Sequence, residues 1–362
     1  MIKRILERSK TIFKFAIKLV AVLLVLTALY SFNLFMMKPF SVDHFLSKEL
    51  ILDLIESPEE LTYVGILDRF DWITKHNSKL SIPQDDDIDN DIKQIEKVIK
   101  TLYKYDDSRL SDIQKSTKKI AIFDYENQLK ELKDFPYLDY PLNQIGGIHL
   151  NTIEFMNSVH PIRSDSEAIA FIKRTDLVKD VYQGVLNHLK KQADNGIYPP
   201  EFVYGHVINQ LDEFINVVNT EHPLYKQFML KIKKLELSND QVDYLEKEIT
   251  RSINESVTPG FKLLRNFMAN TKKNANPNHG IWSQPGGDEY YKLKIRTFTT
   301  TDYSPEEIHQ MGLNEVKRIS SRMREILTSL GYAESKSVGE LMNELNENPD
   351  FLYADTPDRK EI

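Results

Sequence analysis

Helix-start signals recur along this chain and constrain its fold more than any other feature of the sequence. Two segments, Ser57-Pro58-Glu59-Glu60 and Ser304-Pro305-Glu306-Glu307, place a serine before a proline and two glutamates. The serine can accept from free backbone N–H groups, proline needs no donor at the first helical position, and the second glutamate can close a capping box. Similar starts stand at Ser164 and Ser238, whereas the alternating pattern of strands is scarce. The sequence therefore predicts an all-α fold.

Apolar spacing predicts where several of these helices run. From Ser304 the apolar residues form one helical stripe that ends before Gly331, a glycine suited to a left-handed cap. One long helix should cover residues 164–189, and Pro259 should open another. The threonine run Thr297–Thr301 favours an extended connector, because β-branched residues are poor in helix interiors.

Nineteen uncharged residues between Lys18 and Lys38 form a long apolar run. A helix of about 20 apolar residues crosses a bilayer. Six basic residues precede this run, which predicts that the N-terminus stays in the cytoplasm. We therefore predict a transmembrane helix or signal anchor at 19–37, after a basic cytoplasmic head at 1–18. A cleaved signal peptide stays open as the alternative, although no good Ala-x-Ala pattern marks a cleavage point.

Composition excludes several classes of function. The chain has no cysteine, which excludes disulfides, thiolate zinc sites and cysteine nucleophiles. The net charge is −7 although the first 38 residues are basic, so the rest of the chain is strongly acidic. A body this acidic gains nothing from phosphate backbones, and we expect no nucleic-acid partner.

A turn followed by a tyrosine pair is the candidate binding site that the residues themselves suggest. Pro285-Gly286-Gly287 must turn, because proline fixes φ and glycine permits positive φ. The backbone at the two glycines can approach a ligand closely, and phenols can hydrogen-bond a peptide. The alternative is that one tyrosine packs and the other covers surface. The candidate substrate-binding residues are Gly286, Gly287, Tyr290 and Tyr291.

Residue spacing assigns no metal site and no catalytic group. None of the nine histidines begins a His-Glu-x-x-His motif, the arrangement that holds zinc on one face of a helix. His309 lies just inside the helix that starts at Ser304 and is expected to be structural. The segment Asp85–Glu96 imitates a calcium loop, but Asn90 replaces its glycine, and the acids also suit a helix N-terminus. We therefore predict no catalytic residue, no metal ligand and no cofactor in this chain.

A set of short motifs follows in a fixed order from about Glu59 to the last residue. They are Tyr140-Pro141-Leu142-Asn143-Gln144 with Gly146-Gly147, His160-Pro161-Ile162, Gly196-Ile197-Tyr198-Pro199-Pro200-Glu201-Phe202-Val203, Thr258-Pro259-Gly260-Phe261, the Gly286-Gly287 turn with Tyr290 and Tyr291, Thr299–Thr301, and Ser304–Leu313. The set resembles the domain of unknown function 885 family, bacterial proteins that are similar to helical zinc peptidases.

The resemblance implies a large multi-helix domain like part of a helical zinc-peptidase fold. It places the metal-binding His-Glu segment of the family C-terminal to the Ser304 helix, so zinc is expected only in a full-length homologue. Asp355-Thr356-Pro357-Asp358 is a helix start with only four residues behind it. Together with the resemblance, it indicates that the helical domain, residues 57–362, is incomplete at its C-terminus.

Two functions are consistent with these observations. The first is a membrane-anchored envelope protein that resembles the N-terminal part of a zinc-dependent, peptidase-like family and lacks activity in this form. The second is a non-catalytic tethered helical module that recruits a partner through a cleft or an acidic face. In both, the span lies in the bacterial inner membrane, a juxtamembrane connector covers 38–56, and the body is periplasmic. The expected partners are the lipid bilayer and peptides.

Overall fold

The computed structural model describes residues 2–352, with side chains described from residue 13 onward. Those residues contain no strand, only one isolated parallel bridge between Pro200 and Asn276. The all-α prediction is confirmed, while the predicted helix start at Asp355 lies outside the described residues. The helices are α1 (Ile2–Met36), α2 (Val42–Glu56), α3 (Pro58–Val64), α4 (Asp71–Thr74), α5 (Asp87–Leu102), α6 (Asp112–Asp134), α7 (Ile148–Glu154), α8 (Asp165–Asp176), α9 (Val178–Asp194), α10 (Glu201–Asn216), α11 (Pro223–Ile232), α12 (Asn239–Ser252), α13 (Thr258–Thr271), α14 (Gly287–Thr299), α15 (Pro305–Ser329) and α16 (Val338–Glu347).

The predicted helix starts form as capping chemistry requires. At α15 the Ser304 hydroxyl accepts from the Glu307 N–H at 3.2 Å, and the Glu307 carboxylate accepts from the Ser304 N–H at 2.8 Å. At α3 the Ser57 hydroxyl accepts from the Glu60 N–H at 3.2 Å. Gly331 has φ +91° after the end of α15, which is the left-handed conformation expected of it. These ends depend on neighbouring residues alone, so the sequence predicts them well.

The threonine run is not the extended connector that the sequence predicts. Thr297 and Thr299 both belong to α14, and Thr300, with φ +54°, marks its end. The Thr297 hydroxyl donates to the Leu293 carbonyl at 2.9 Å, and the Thr299 hydroxyl donates to the Ile295 carbonyl at 2.8 Å. A threonine that bonds back one turn in this way is tolerated in a helix, because its polar group is satisfied there.

The single long helix predicted for residues 164–189 is divided at Leu177 into α8 and α9. The hydroxyl of Ser256 enters the backbone ladder at this point. It donates to the Asp176 carbonyl at 2.8 Å and accepts from the Lys179 N–H at 3.0 Å. A side chain that inserts into the ladder is a recognised cause of a helix break. Since Ser256 is 77 residues from Lys179 in sequence, no local pattern could have predicted the break.

Pro259 stands in the first turn of α13, as predicted, but the helical path is already continuous from α12 to α13. A π-helical turn, Ile253–Val257, joins the two, and the Thr258 N–H donates to the Ile253 carbonyl five residues back. Pro259 follows this wide turn, where its missing N–H disturbs the ladder least. Gly260 then lets α13 approach the core closely, since a Cβ there would lie 2.9 Å from the Tyr182 ring.

The chain forms two compact units, Met1–Tyr291 and Lys292–Ile362. The main core of the first unit is built by α7 to α13, where Phe214 stacks on Phe261 at 4.8 Å between ring centroids and Phe261 lies against Tyr182. A smaller cluster joins α2 to α5 and α6. In the second unit α15 and α16 pack together and bury Leu327 and Leu341.

One described helix is long and apolar enough to cross a membrane, by length and composition. Its apolar part is Phe13–Met36, which includes most of the predicted span. The end of this helix is hydrogen-bonded to the residues that follow it. The buried amide of Asn33 donates to the Lys38 carbonyl and accepts from the Phe40 N–H, both at 3.0 Å. The Tyr105 hydroxyl donates to the Pro39 carbonyl at 2.8 Å, so the predicted connector is packed against the body from its first residues.

Arg174 of α8 is completely buried and binds the preceding part of the chain. Its guanidinium donates to the backbone carbonyls of Lys79 at 2.7 Å and His76 at 2.6 Å. It also donates to the Thr62 hydroxyl and to the His160 imidazole, each at 2.9 Å. Burial lowers the pKa of Arg174 to about 10, so the group still carries its charge at neutral pH. The residues from α3 to Leu80 are therefore held on α8 by one side chain.

We expect Arg174→Met to destabilise the first unit by about 3 kcal/mol or more, because several buried acceptors lose their donor. Urea unfolding of the detergent-solubilised protein measures the loss. Arg174→Lys is the matched control. It keeps the charge but not the fork of donors, and should give an intermediate loss. Equal midpoints for the Met variant and the wild type would show that the network contributes nothing.

Candidate functional site

The best-formed cleft of the first unit lies between α2, α5 and α6. It has a volume of about 510 Å³ and is bounded further by the segment after α6 and by one side chain of α9. Carboxylates and apolar side chains share its surface. The lining residues are Glu49, Asp53, Ile88, Asp91, Gln94, Ile95, Val98, Tyr125, Gln128, Glu131, Leu132, Phe135, Pro136, Asp139 and His188.

Helical spacing explains why these residues face the same space. Glu49 and Asp53 are one turn apart on α2. On α5 the lining residues Ile88, Asp91 and Ile95 recur at intervals of three and four, as one face of a helix requires. Ile95 and Val98 of α5 and Glu49 of α2 are buried, whereas Asp53 and Asp91 are exposed.

The cleft is strongly acidic. Among the residues that the structure describes, those lining it include five carboxylates and neither lysine nor arginine. Glu49 is buried, and its carboxylate contacts the Lys48 ammonium at 2.5 Å and accepts from the Gln94 amide at 2.9 Å. Burial raises the pKa of Asp53, and the charges of Glu49, Glu56 and Asp91 raise it further. Asp53 therefore holds its proton more tightly than a free carboxyl does.

Asp91, on the α5 side of the cleft, also has a raised pKa. Burial is the main cause that raises its pKa, and the charges of Asp87 and Glu56 add to it. Burial also raises the pKa of Tyr125, and Asp53 and Glu49 contribute. Lys48 is paired with Glu49, but neighbouring carboxylates still raise the pKa values of Asp53 and Asp91, and a bound cation would relieve this repulsion.

A histidine–carboxylate pair stands at the mouth of the cleft. His188 Nε2 lies 2.8 Å from the Asp139 carboxylate, and the Tyr137 ring lies 5.5 Å from the imidazole, between centroids. The Gln192 amide donates to the Asp139 carboxylate at 3.0 Å and to its carbonyl at 2.5 Å, which fixes the aspartate. An imidazole oriented in this way can donate or accept a hydrogen bond at a ligand that enters the cleft.

The two predicted binding glycines have clear backbone roles beside this cleft. Gly286 adopts φ +73°, and a Cβ there would lie 3.4 Å from the Phe135 ring. A Cβ at Gly287 would lie 1.8 Å from the Ile281 carbonyl oxygen, which no side chain could tolerate. The predicted turn is therefore confirmed, and it lets the chain pass close behind Phe135. A substrate-binding role for either glycine stays a prediction.

Both tyrosines of the predicted pair lie in α14, where consecutive side chains point in different directions. The Tyr290 ring meets Phe135 edge to face at 5.6 Å between centroids, and its hydroxyl donates to the Glu131 carboxylate at 3.3 Å. Phe135 and Glu131 both line the cleft, so Tyr290 supports its wall from behind. Tyr291 is 49% exposed. A direct contact of either tyrosine with a substrate stays a prediction.

The cleft was not among the sites that the sequence predicts. Its acids come from α2, α5, α6 and the segment after α6, and each acid taken alone resembles an ordinary solvated residue. The available signal was weak: α5 places Asp91 beside its apolar stripe, and α2 is apolar on more than one face. Such boundary positions show that a residue lies at the edge of a buried face, but not which helix faces it.

In the part of the chain that the structure describes, no group of three or more His, Asp or Glu residues is placed to hold a metal ion. Positions 87 to 96 of the calcium-loop candidate lie in α5, and a straight helix cannot wrap around an ion. Asp87 and Asp89 instead stand in the first turn, as the alternative interpretation proposed. His309 is exposed in the first turns of α15. The zinc site of a full-length homologue stays a prediction.

A family model described as "Bacterial protein of unknown function (DUF885)" matches residues 58–362. The chain therefore belongs to this family, as its motifs indicated. The description of the family names no activity, so neither the likeness to zinc peptidases nor the view that this chain is an N-terminal portion is supported by the match. No curated protein matches the chain.

Two solved structures share the fold. One is a presumed lipoprotein from Colwellia psychrerythraea, 23% identical, with a TM-score of 0.72, covering 87% of this chain and 56% of its own. The other is a presumed lipoprotein of unknown function from Shewanella oneidensis, 11% identical, with a TM-score of 0.55, covering 82% of this chain and 53% of its own. The chain thus spans about half the length of these relatives.

We expect Asp53→Asn to stabilise the protein at neutral pH. A carboxyl whose pKa is raised by folding favours the folded state while it is protonated, and this contribution is lost as the pH rises through the folded-state value. The asparagine side chain cannot ionise, so the variant does not lose this folding stability as the pH rises. The gain should be on the order of 0.5 kcal/mol at neutral pH, because solvent screens a half-open group. Thermal unfolding at neutral and at acidic pH measures it. A gain that is equally large at both pH values would contradict the assigned cause.

Proposed function

We propose that this protein is a membrane-anchored binding module of the bacterial envelope, and that its cleft takes a cationic ligand with an apolar portion. One observation carries the proposal. Five carboxylates and several apolar side chains line one cleft, and no lysine or arginine among the described residues lines it. A basic side chain of a peptide fits this chemistry, with its methylene stem on the apolar side chains and its charged head among the carboxylates.

The raised pKa values of Asp53 and Asp91 support a cation in particular. A cation favours the ionised carboxyl, so binding should displace protons from these groups. The affinity is then expected to increase as the pH rises through the raised pKa values of the free protein. A neutral ligand would gain nothing from this rise, and an anion would be repelled.

The tethering part of the proposal is supported by the apolar segment Phe13–Met36 and by its fixed connection to the body. The relatives described as presumed lipoproteins are consistent with a membrane location. This chain has no cysteine to carry an S-linked lipid, so we assign the tether to the helix itself. We further propose an inner-membrane span with a cytoplasmic N-terminus and a periplasmic body. Tyr30 lies edge to face with His44 at 5.6 Å between centroids, a contact that cleavage before the body would remove.

Calorimetric titration with a short peptide tests the proposed ligand class. The probe Leu-Lys-Leu amide should bind, and the neutral Leu-Gln-Leu amide should not. Asp53→Asn with Asp91→Asn should weaken binding of the lysine peptide by at least about tenfold, or about 1.4 kcal/mol.

The matched control is the pair Glu236→Gln with Asp243→Asn, which changes the net charge equally at exposed positions away from the cleft. This pair should leave the affinity unchanged. Equal binding of the two peptides would contradict the proposal. An equal loss of affinity in both variant pairs would contradict it too.

We expect no peptide hydrolysis by this chain alone, since no described group of residues is placed to hold a metal ion. The peptidase-like alternative requires ligands that the family resemblance assigns to a longer homologue. The purified protein should leave a peptide panel intact for hours, with and without added zinc. Hydrolysis that a chelator abolishes would establish the enzyme in place of the binding module.

A further inference from the structure

From the end of α3 to His76, the chain has its polar and apolar residues arranged in the reverse of the usual way. Its aspartates and a histidine turn inward, and its large apolar side chains turn outward. Trp72 is 75% exposed and Tyr63 is 72% exposed. The outward set, here named the aromatic patch, consists of Tyr63, Val64, Ile66, Phe70, Trp72 and Ile73. A cluster of this kind marks an interaction surface on a soluble domain.

Specific bonds hold the reversed arrangement in place. His76 is buried between two aspartates, with Nε2 at 3.3 Å from Asp68 and Nδ1 at 3.2 Å from Asp71. The other Asp68 oxygen accepts from the Arg163 guanidinium at 2.7 Å. Arg174 fixes the His76 carbonyl from below. The polar side chains of the segment make these bonds on its inner side. Its apolar side chains are therefore left on the outer surface.

Exposed apolar residues also occupy the chain between the apolar helix α1 and the aromatic patch. Phe40, directly after α1, is exposed, and so are Leu50, Ile51 and Ile55 on the outer side of α2. The opposite side of α2 is buried against α5 and α6. The connection from α1 to α2 is bonded through Asn33 and is not a free linker. The body is therefore held in one orientation near the end of the apolar helix.

The residue types of the aromatic patch match the interface between lipid and water. Tryptophan and tyrosine concentrate at that depth, where an apolar ring and a polar tip are both satisfied. Arg69 and Lys75 are exposed within the same segment and suit anionic headgroups. We infer that the aromatic patch is a second membrane contact, which rests in the headgroup region of the bilayer that α1 crosses. This inference depends on the proposed membrane anchoring.

The chain has two tryptophans, and they provide a matched pair of probes. Trp72 lies in the aromatic patch, whereas Trp282, 61% exposed, lies elsewhere in the first unit. The full-length Trp282→Phe variant reports on Trp72 alone, and Trp72→Phe reports on Trp282 alone. Each is reconstituted into phosphatidylcholine and phosphatidylglycerol vesicles, with a fraction of the lipid brominated near the ester end of its chains.

Trp72 emission should fall about twofold or more in brominated vesicles and lie to the blue of Trp282 emission, because an interfacial ring is within reach of the bromines. Trp282 should be unaffected by bromine and open to acrylamide. Equal bromine quenching of the two residues would overturn the inference. Shielding of Trp72 from acrylamide without bromine quenching would overturn it too, by showing that protein covers the patch.

Flotation of the same vesicles separates this test from the test of the anchor. Protein that floats with the vesicles but keeps an unquenched Trp72 contradicts the second contact only. Protein that stays at the bottom of the gradient contradicts the membrane anchor and, with it, the second contact. Peptide binding to the cleft can be measured in detergent and is unaffected by either result.

Discussion

The arrangement of the first unit depends on one buried cation. Arg174 has no carboxylate within its hydrogen-bonding shell and is instead held by backbone carbonyls, a hydroxyl and an imidazole. A charge removed from water in this way is costly unless every donor is used. The cost is offset only when the segment from α3 to Leu80 is in its native place. Arg174 therefore couples the core helices to the residues that carry the aromatic patch, and through α3 to α2.

The helix α2 leads from the end of the apolar helix to the cleft. The Asn33 amide accepts from the Phe40 N–H, and the Tyr105 hydroxyl donates to the carbonyl of Ser41, the residue before α2. Later turns of α2 carry Glu49 and Asp53, which line the cleft. With the proposed membrane anchor, a ligand in the cleft would be held within one short helix of the bilayer. Burial and neighbouring carboxylates raise the pKa values of Asp53 and Asp91 at a cost to folding stability. Such a cost is expected where a site is built for a ligand of opposite charge.

The sequence predicted those parts of the structure that depend on near neighbours. The serine caps of α3, α12 and α15 and the left-handed Gly331 were found because a capping bond joins residues three apart. The break at Leu177 was missed because the hydroxyl that causes it comes from Ser256. The helical state of Thr299 was missed because propensity is a weak guide when a side chain can bond back one turn. The cleft was missed for a similar reason, since periodicity identifies a boundary face but not its opposite helix.

The central claim, that the cleft exists to hold a cation, is tested most directly by counting protons. Titration of the lysine peptide in two buffers of different ionisation enthalpy gives the number of protons released on binding. At a pH just below the raised values of Asp53 and Asp91, we expect a net release that disappears in the Asp53→Asn, Asp91→Asn variant. Binding of the lysine peptide with no proton release at any mildly acidic or neutral pH would contradict the account.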